Sequence, residues 1–140
     1  MPFSVRDLLA RKNSAFVYTC SPATTLAEAC RLLRERRVGS LVVVEEGACE
    51  GLLSDREVVR AVAAGRDPTR TPVREVMAAE VPAIGLETSL DDAAVLLRRG
   101  RLRHLLVTGP RGLLGVVSQG DLARFYALRD RASAEAAAAQ

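Results

Sequence analysis

Long hydrophobic runs are absent from this sequence of 140 residues. Apolar stretches such as the one from Leu41 to Val44 span only a few residues, whereas a membrane helix needs roughly 18. The N-terminal stretch MPFSVRDLLARK has charges within its apolar part and no small-residue cleavage site, which is not typical of a secretory signal. We therefore predict a cytoplasmic protein that has no membrane partner.

Cysteine, histidine and aromatic residues are scarce. The 3 cysteines are odd in number and lack C-x-x-C spacing, which argues against a disulfide framework and a zinc site. Because the sequence has 1 histidine and no recognisable triad or metal spacing, we expect neither an enzyme nor a metal protein. With 4% aromatic residues and a net charge of only +3 that is dispersed along the chain, nucleic acid is an improbable partner.

What the sequence does contain is an internal repeat. A shift of 64 positions aligns residues 17–63 with residues 81–127 without a gap, and 14 of the 47 pairs are identical. Several identical pairs are apolar residues or glycines at positions where a core or a tight turn would need them, such as Leu26 with Leu90 and Gly51 with Gly115. The chain is therefore a tandem duplication.

Each copy has the same order of apolar patterns. Apolar residues at i, i+3, i+4 and i+7 predict a helix that begins near Leu26 in copy one and near Leu90 in copy two. Two aliphatic runs separated by a polar turn then predict a β-hairpin, and helical spacing resumes after Ser54 and Ser118. With a short opening strand, each copy is predicted to have the order strand, helix, strand, strand, helix.

Three short elements are predicted at the joins between these patterns. The opening strands are expected at residues 16–20 and 81–84. Thr71 before Pro72 fits an N-cap followed by proline at the first helical position, and so predicts a short helix that runs through Met77.

Proline and glycine mark the limits of the copies. We place the first repeat at 5–66, the second at 71–127, and a helical or disordered alanine-rich tail at 128–140. Because a half of about 60 residues buries little surface alone, the two copies are expected to pack their sheets about a pseudo-two-fold axis. The predicted fold class is α/β, more strictly α+β, with two tandem βαββα repeats.

Ser54-x-x-Glu57 and Ser118-x-x-Asp121 allow two interpretations. In the first, serine and carboxylate form a capping box that satisfies free N–H groups at the helix start. In the second, a glycine-led strand delivers the serine to a helix N-terminus, where amides and the helix dipole favour a phosphate. A carboxylate one turn into that helix could accept hydrogen bonds from ribose hydroxyls. Spacing alone does not separate the two interpretations.

The same residues resemble a known family. In copy one, the helix pattern T-x-x-E-A-x-x-L, the run V-G-S-L-V-V-V and the stretch G-L-L-S-D-R-E-V-V are similar to a CBS domain, and in copy two so are L-R-H-L-L-V and G-V-V-S-Q-G-D-L. The resemblance covers residues 5 to about 127, and two such domains in tandem make a Bateman module. It implies a pair of clefts between the two copies that bind adenosine-containing ligands such as AMP, ADP, ATP or S-adenosylmethionine.

The resemblance also implies roles for particular residues. Serine and carboxylate would hold phosphate and ribose, and the main chain near the first strands would face the adenine. Copy two would be the better site, because Glu57 replaces the usual aspartate in copy one and its extra methylene would push the carboxylate deeper toward the sugar. The candidate nucleotide-binding residues are Ser118, Asp121, Ser54, Glu57, Thr19, Ala83, Arg56, Arg103 and His104.

These observations predict a stand-alone regulatory module. Nucleotide occupancy would shift a conformational or oligomeric equilibrium, which requires a different affinity for the two states. No cofactor is required beyond the regulatory ligand, and the resemblance implies a homodimer that acts on an effector protein of unknown identity. The alternative is a ligand-free interaction or oligomerisation module in which both Ser-x-x-Asp/Glu pairs only cap their helices.

Overall fold

The computed structural model describes residues 3–12 and 17–139, and these residues fall into two packing units. The first unit comprises residues 17–81. The second joins residues 3–12 to residues 82–139. Each unit is built around its own three-stranded sheet.

The first unit follows the predicted order of elements. Its sheet has the order β1-β2-β3, in which β1 runs parallel to β2 and β3 pairs antiparallel with β2. A 3₁₀ helix at Val73–Glu75 follows the last α-helix of the unit. The other elements are β1 (Thr19–Cys20), α2 (Leu26–Arg36), β2 (Ser40–Glu45), β3 (Ala48–Ser54) and α3 (Asp55–Ala63).

The opening strand of this unit is shorter than expected. Thr19 and Cys20 are in register with Val42 and Val43 of β2, and the carbonyl of Tyr18 accepts the N–H of Val42. The N–H of Ser21 then donates to Thr24 Oγ1. This local turn takes the chain away from the sheet edge. Residue 16, where the strand was predicted to begin, lies outside the described residues.

The core of the first unit forms as the apolar spacing predicts. Leu26 and Ala29 on α2 are fully buried against Leu41 and Val43 of β2. Val73 of the 3₁₀ helix is equally buried in the same cluster. The segment that joins the two repeats in sequence therefore contributes to the core of the first unit.

The prediction that Thr71 caps a helix running through Met77 was wrong. The carbonyl of Thr71 accepts the N–H of Leu26 at 2.8 Å, and Pro72 bridges to Thr25. These contacts hold residues 71 and 72 in extended conformation, so only one 3₁₀ turn forms, with Pro72 at its N-cap. The Thr71 hydroxyl instead donates to the carbonyl of Asp67.

The second unit repeats this architecture, with an additional helix from the start of the chain. Its sheet has the order β4-β5-β6, with the same parallel and antiparallel pairing. The strand β4 is also shorter than predicted, because Pro82 has no N–H to donate and contributes only its carbonyl, which accepts from Leu106. The elements are α1 (Val5–Arg11), β4 (Ala83–Ile84), α4 (Leu90–Gly100), β5 (His104–Gly109), β6 (Gly112–Ser118) and α5 (Gln119–Ala138).

Helix α1 packs on the second unit although it precedes the first repeat in sequence. Val5 and Leu8 of α1 are buried in the cluster that contains Leu105 and Phe125, and the N–H of Val5 donates to the carbonyl of Thr88 at 2.9 Å. The segment before the first repeat therefore packs with the second repeat, and the segment between the repeats packs with the first. The limits of the repeats along the chain, 5–66 and 71–127, stay predictions.

The alanine-rich tail is helical in the structure. Helix α5 continues to Ala138, yet its buried residues all lie in its first two turns, at Asp121, Leu122 and Phe125. Beyond these turns the helix has no buried residues, and the high helix propensity of alanine is consistent with helical structure there. None of the helices within residues 3–12 and 17–139 has the length and apolarity to cross a membrane.

Candidate functional site

Ser118 and Asp121 form a capping box where β6 leads into α5. The backbone N–H of Ser118 donates to Asp121 Oδ2 at 2.9 Å, and the backbone N–H of Asp121 donates to Ser118 Oγ at 3.0 Å. Ser118 is extended, with φ −112° and ψ 165°, as an N-cap residue requires. The capping interpretation of this motif is confirmed.

The first unit uses its motif differently. Glu57 Oε1 accepts both the backbone N–H and the hydroxyl of Ser54, each at 2.8 Å. The longer glutamate side chain reaches back to the serine, and both residues are buried. The Ser54 hydroxyl proton is therefore already donated within the protein.

The two serines differ in exposure. Each serine side chain is already hydrogen-bonded to the carboxylate three residues later: Ser54 donates to Glu57, and a side-chain hydrogen bond from Ser118 helps to lower the pKa of Asp121. Ser54 is 1% exposed, whereas Ser118 is half-buried. Ser118 is thus the serine that an incoming phosphate can reach.

Two cations surround the Asp121 carboxylate. Lys12 Nζ lies 3.0 Å from Oδ2 and also donates to the carbonyl of Val116 at 2.7 Å. On the other oxygen, Arg124 Nη2 donates to Oδ1 at 2.6 Å. A Cβ atom at Gly120 would lie 3.4 Å from Arg124 Nη1, an ordinary van der Waals contact, which places the Arg124 guanidinium over the first turn of α5.

The ionisation of Asp121 reflects these contacts. Burial is the strongest single influence and raises the pKa of Asp121, but hydrogen bonds from Lys12 and Ser118 together with the Lys12 charge outweigh it. The net result is a pKa below the ordinary value of the carboxyl group. Asp121 is therefore held as a carboxylate, the form that accepts hydrogen bonds on both oxygens.

Three other predicted residues lie near this junction. His104 pairs directly with Ser118 in the register of β5 and β6. The carbonyl of Arg103 accepts the N–H of Gln119, the first residue of α5. Ala83 is exposed on β4 and pairs with Leu106, two residues along β5 from His104. The structure therefore brings Ser118, Asp121, Arg103, His104 and Ala83 to one region of the second unit.

The predicted residues of copy one form the equivalent region of the first unit. Thr19 is exposed on β1 and pairs with Val42, while Ser54 ends β3 opposite Ser40. Arg56 is exposed on the first turn of α3, next to Glu57. The arrangement matches the second unit in backbone placement and differs in the exposure of its serine.

Sequence reasoning missed Lys12 and Arg124. Arg124 follows Asp121 by three residues on a helix, which is a recognisable spacing for an ion pair. The signal for Lys12 was weaker, because it pairs with a residue far away in the chain. Its only mark in the sequence is that it is the single lysine.

Comparison with known proteins identifies the family. The protein-family model of the CBS domain matches residues 5–64 and residues 73–128 of this chain. The chain belongs to the CBS-domain family. It contains two CBS repeats of mixed α/β structure, as the sequence predicted. CBS-domain proteins of this kind are generally regulatory modules.

Similar CBS proteins support the assignment over most of the chain. The CBS domain-containing protein YhcV of Bacillus subtilis is 39% identical over 121 residues, which cover 86% of this chain and 83% of YhcV. A CBS-domain-containing protein of Agrobacterium tumefaciens superimposes with a TM-score of 0.79 at 30% identity, covering 88% of this chain and 98% of the other. A hexameric CBS-CP12 protein from bloom-forming cyanobacteria gives a TM-score of 0.78 at 26% identity and coverages of 88% and 67%.

Proposed function

We propose that this CBS protein is a regulatory module that binds an adenosine-containing ligand at the N-terminus of α5. The candidates are AMP, ADP, ATP and S-adenosylmethionine. The observation that carries the proposal is the placement of a half-buried Ser118 beside the buried carboxylate of Asp121 at this helix start, which puts groups suited to phosphate and ribose side by side. The positive end of the α5 dipole acts in the same direction.

Asp121 would bind the ribose. Its carboxylate is ionised, buried and held in one orientation by the backbone N–H of Ser118. A fixed carboxylate loses little freedom when it accepts hydrogen bonds from two sugar hydroxyls. The exposed main chain around Ala83 would face the adenine, as in the CBS domains that the sequence resembles, with Arg103 and His104 beside it.

The second unit is the preferred site. In the first unit, Ser54 is only 1% exposed, so a phosphate would have to displace packed structure as well as the hydrogen bond from the Ser54 hydroxyl to Glu57. Breaking a buried hydrogen bond to a charged group costs about 1.5–3 kcal/mol unless the ligand replaces it. Arg56 and Thr19 could still support weaker binding there.

Regulation follows if the ligand favours one of two states of the protein. A ligand shifts an equilibrium only by its difference in affinity for the two states. The states would differ in conformation or oligomerisation, and an effector protein would read the change.

We expect calorimetric titration of the wild-type chain with the four compounds to give saturable binding to at least one of them. In a thermal-shift screen, ligand at 100 times the Kd should stabilise the protein by about 2.7 kcal/mol. Asp121→Ala should weaken binding more than Glu57→Ala, because only Asp121 sits beside a serine that is partly exposed.

Both variants lose a capping interaction, so the unliganded melting temperature of each serves as the control. The comparison of affinities is made at a temperature where both variants are folded. Equal loss of affinity in the two variants would contradict the ranking of the sites. Absence of binding by all four compounds would refute the proposed ligand class.

Self-association without a small ligand is a second candidate function. Val59 and Val62 of α3 are 65% and 58% exposed and lie three residues apart on one helical face. Exposed apolar side chains on one face are typical of contact surfaces. A second copy of this chain is the proposed occupant, which gives the predicted homodimer, and the similar CBS-CP12 protein is hexameric.

Light scattering on the samples used for titration separates the two functions. A dimer whose mass is independent of every adenosine compound, together with no binding, would favour the self-association module. A Val62→Glu variant should then lower the measured mass to that of the monomer.

A further inference from the structure

Lys12 is the only lysine among 20 basic residues. It is the residue that follows α1, and its side chain is 25% exposed. Among the described residues, its ammonium group contacts the Asp121 carboxylate and the Val116 carbonyl. Lys12 therefore lies in the proposed site although it is far from that site in sequence.

A ribose bound to Asp121 would compete with Lys12. Oδ2 accepts from the Ser118 N–H and contacts Lys12, while Oδ1 accepts from Arg124. Arg124 is 70% exposed and can turn into solvent at little cost. Lys12 is less exposed, and a neutral sugar in its place would leave the ammonium group without an anion.

We propose that Lys12 makes this site selective for adenosine compounds that carry a phosphate. When the ribose takes the Asp121 carboxylate, the ammonium group moves from the carboxylate to the phosphate that arrives with the sugar. This inference rests on the proposed function. It assigns nucleotides rather than adenosine or S-adenosylmethionine as the ligand class.

Local charge supports this assignment. Two cations, Lys12 and Arg124, contact one carboxylate, Asp121, so the cluster has an excess of positive charge at the positive end of α5. A phosphate complements that charge and restores an anionic partner to Lys12. The sulfonium and amino groups of S-adenosylmethionine add positive charge, and adenosine is uncharged.

The first unit lacks this feature. In the first unit the carbonyl of Leu52, which is equivalent to Val116 in the repeat, accepts the backbone N–H of Ala78 in place of a lysine, and the next charged residue along the chain is Glu80. Glu80 is exposed and carries the opposite charge. Phosphate selectivity is therefore expected only in the second unit.

The test compares the Kd of AMP with the Kd of adenosine by calorimetry in three proteins. These are the wild type, Lys12→Met, which keeps the length of the chain and removes the charge, and the control Arg6→Met, which removes a cation of α1 that pairs with Glu87. In the wild type AMP should bind at least about tenfold more tightly than adenosine. Lys12→Met should reduce this ratio about tenfold, mainly by weakening AMP, and Arg6→Met should preserve it.

The outcomes distinguish the inference from the function on which it rests. If the ratio of the two Kd values is unchanged in Lys12→Met, including the case in which both ligands gain or lose affinity equally, the inference is refuted and the proposed function still stands. Failure of both ligands to bind either wild type or Lys12→Met would refute both.

Because Lys12 is the only lysine, its reactivity gives a second readout. An amine-reactive ester labels Lys12 and the N-terminal amine, which peptide mass spectrometry separates. Saturating AMP should slow the labelling of Lys12, since the ammonium group is then paired with phosphate, whereas saturating adenosine should accelerate it. Equal labelling rates with the two ligands would overturn the inference.

Discussion

At the scale of single residues, Asp121 links stability to the proposed function. Its carboxylate caps α5 through the N–H of Ser118 and pairs with Lys12 from the start of the chain. The side chain is only 6% exposed, so its contacts are weakly screened by solvent. A group with these contacts should make folding depend on its ionisation.

We predict that Asp121→Asn lowers the free energy of unfolding by about 1–2 kcal/mol at pH 7. Asparagine keeps an acceptor for the Ser118 N–H but loses the charge that faces Lys12. Because the pKa of Asp121 is lowered on folding, its ionisation stabilises the protein fully above the ordinary pKa of about 4 and is lost as the pH falls through the folded value.

Urea denaturation between pH 7 and pH 3 measures this effect. The difference between wild type and Asp121→Asn should shrink as the pH falls below about 4. Asp130→Asn, at an exposed carboxylate further along α5, should change the free energy of unfolding by less than about 0.5 kcal/mol. A difference for Asp121→Asn that stays constant over this pH range would contradict the assignment.

At the scale of elements, the two hairpins show how a repeated glycine can have different neighbours. Gly51 on β3 and Gly115 on β6 pair with Val43 and Val107 at equivalent points, next to an irregularity in the register of each hairpin. A Cβ on Gly51 would lie 2.6 Å from the backbone oxygen of Ala78. A Cβ on Gly115 would lie 3.2 Å from a methyl group of Leu9.

We therefore expect Gly51→Ala to be more destabilising than Gly115→Ala. The backbone of Ala78 is fixed by reciprocal hydrogen bonds with Leu52 at 2.9 Å, so it cannot move without breaking them. Overpacking of this kind costs about 1–3 kcal/mol. The Leu9 side chain can rotate, so Gly115→Ala should cost less than about 1 kcal/mol. Chemical denaturation of the two variants checks which one loses more free energy of unfolding. Equal losses would show that the backbone of Ala78 moves as easily as the side chain of Leu9.

At the scale of the whole molecule, the spatial units do not follow the order of the repeats. Helix α1 belongs to the unit that contains the second repeat, and residues 67–81 complete the unit that contains the first. Within that unit, the carbonyls of Pro68 and Thr71 accept the N–H groups of Ala27 and Leu26 at the start of α2. A fragment cut at the end of the first sequence repeat would lose these partners.

Residues 1–66 expressed alone should therefore fold poorly. This fragment lacks Val73, which is fully buried, and it leaves two amides of α2 without their acceptors. Units of about 60 residues are marginal even when they are complete. Amide NMR spectra should show poor dispersion for residues 1–66 and better dispersion for residues 17–81, which include the missing segment. Well-dispersed spectra from residues 1–66 would contradict the structural role of residues 67–81.

The sequence by itself determined the features that depend on neighbours in the chain. The duplication, the order of elements and the capping boxes at Ser54 and Ser118 could all be predicted, because amphipathic spacing and helix caps involve residues three or four positions apart. The family assignment followed from the same motifs. Local patterns also anticipated Ser118 and Asp121 as a pair, although they left open whether the pair caps the helix or holds a ligand.

Only the tertiary structure decided which distant residues meet. The contact between Lys12 and Asp121 depends on α1 packing against the second unit, and no periodicity in the sequence encodes that choice. The same applies to Thr71, whose carbonyl is taken by Leu26 so that the expected helix shortens to one turn. Packing also separates the Ser54 and Ser118 hydroxyls, because Ser54 is 1% exposed and Ser118 is half-buried, and the neighbours that cover each serine come from distant parts of the chain.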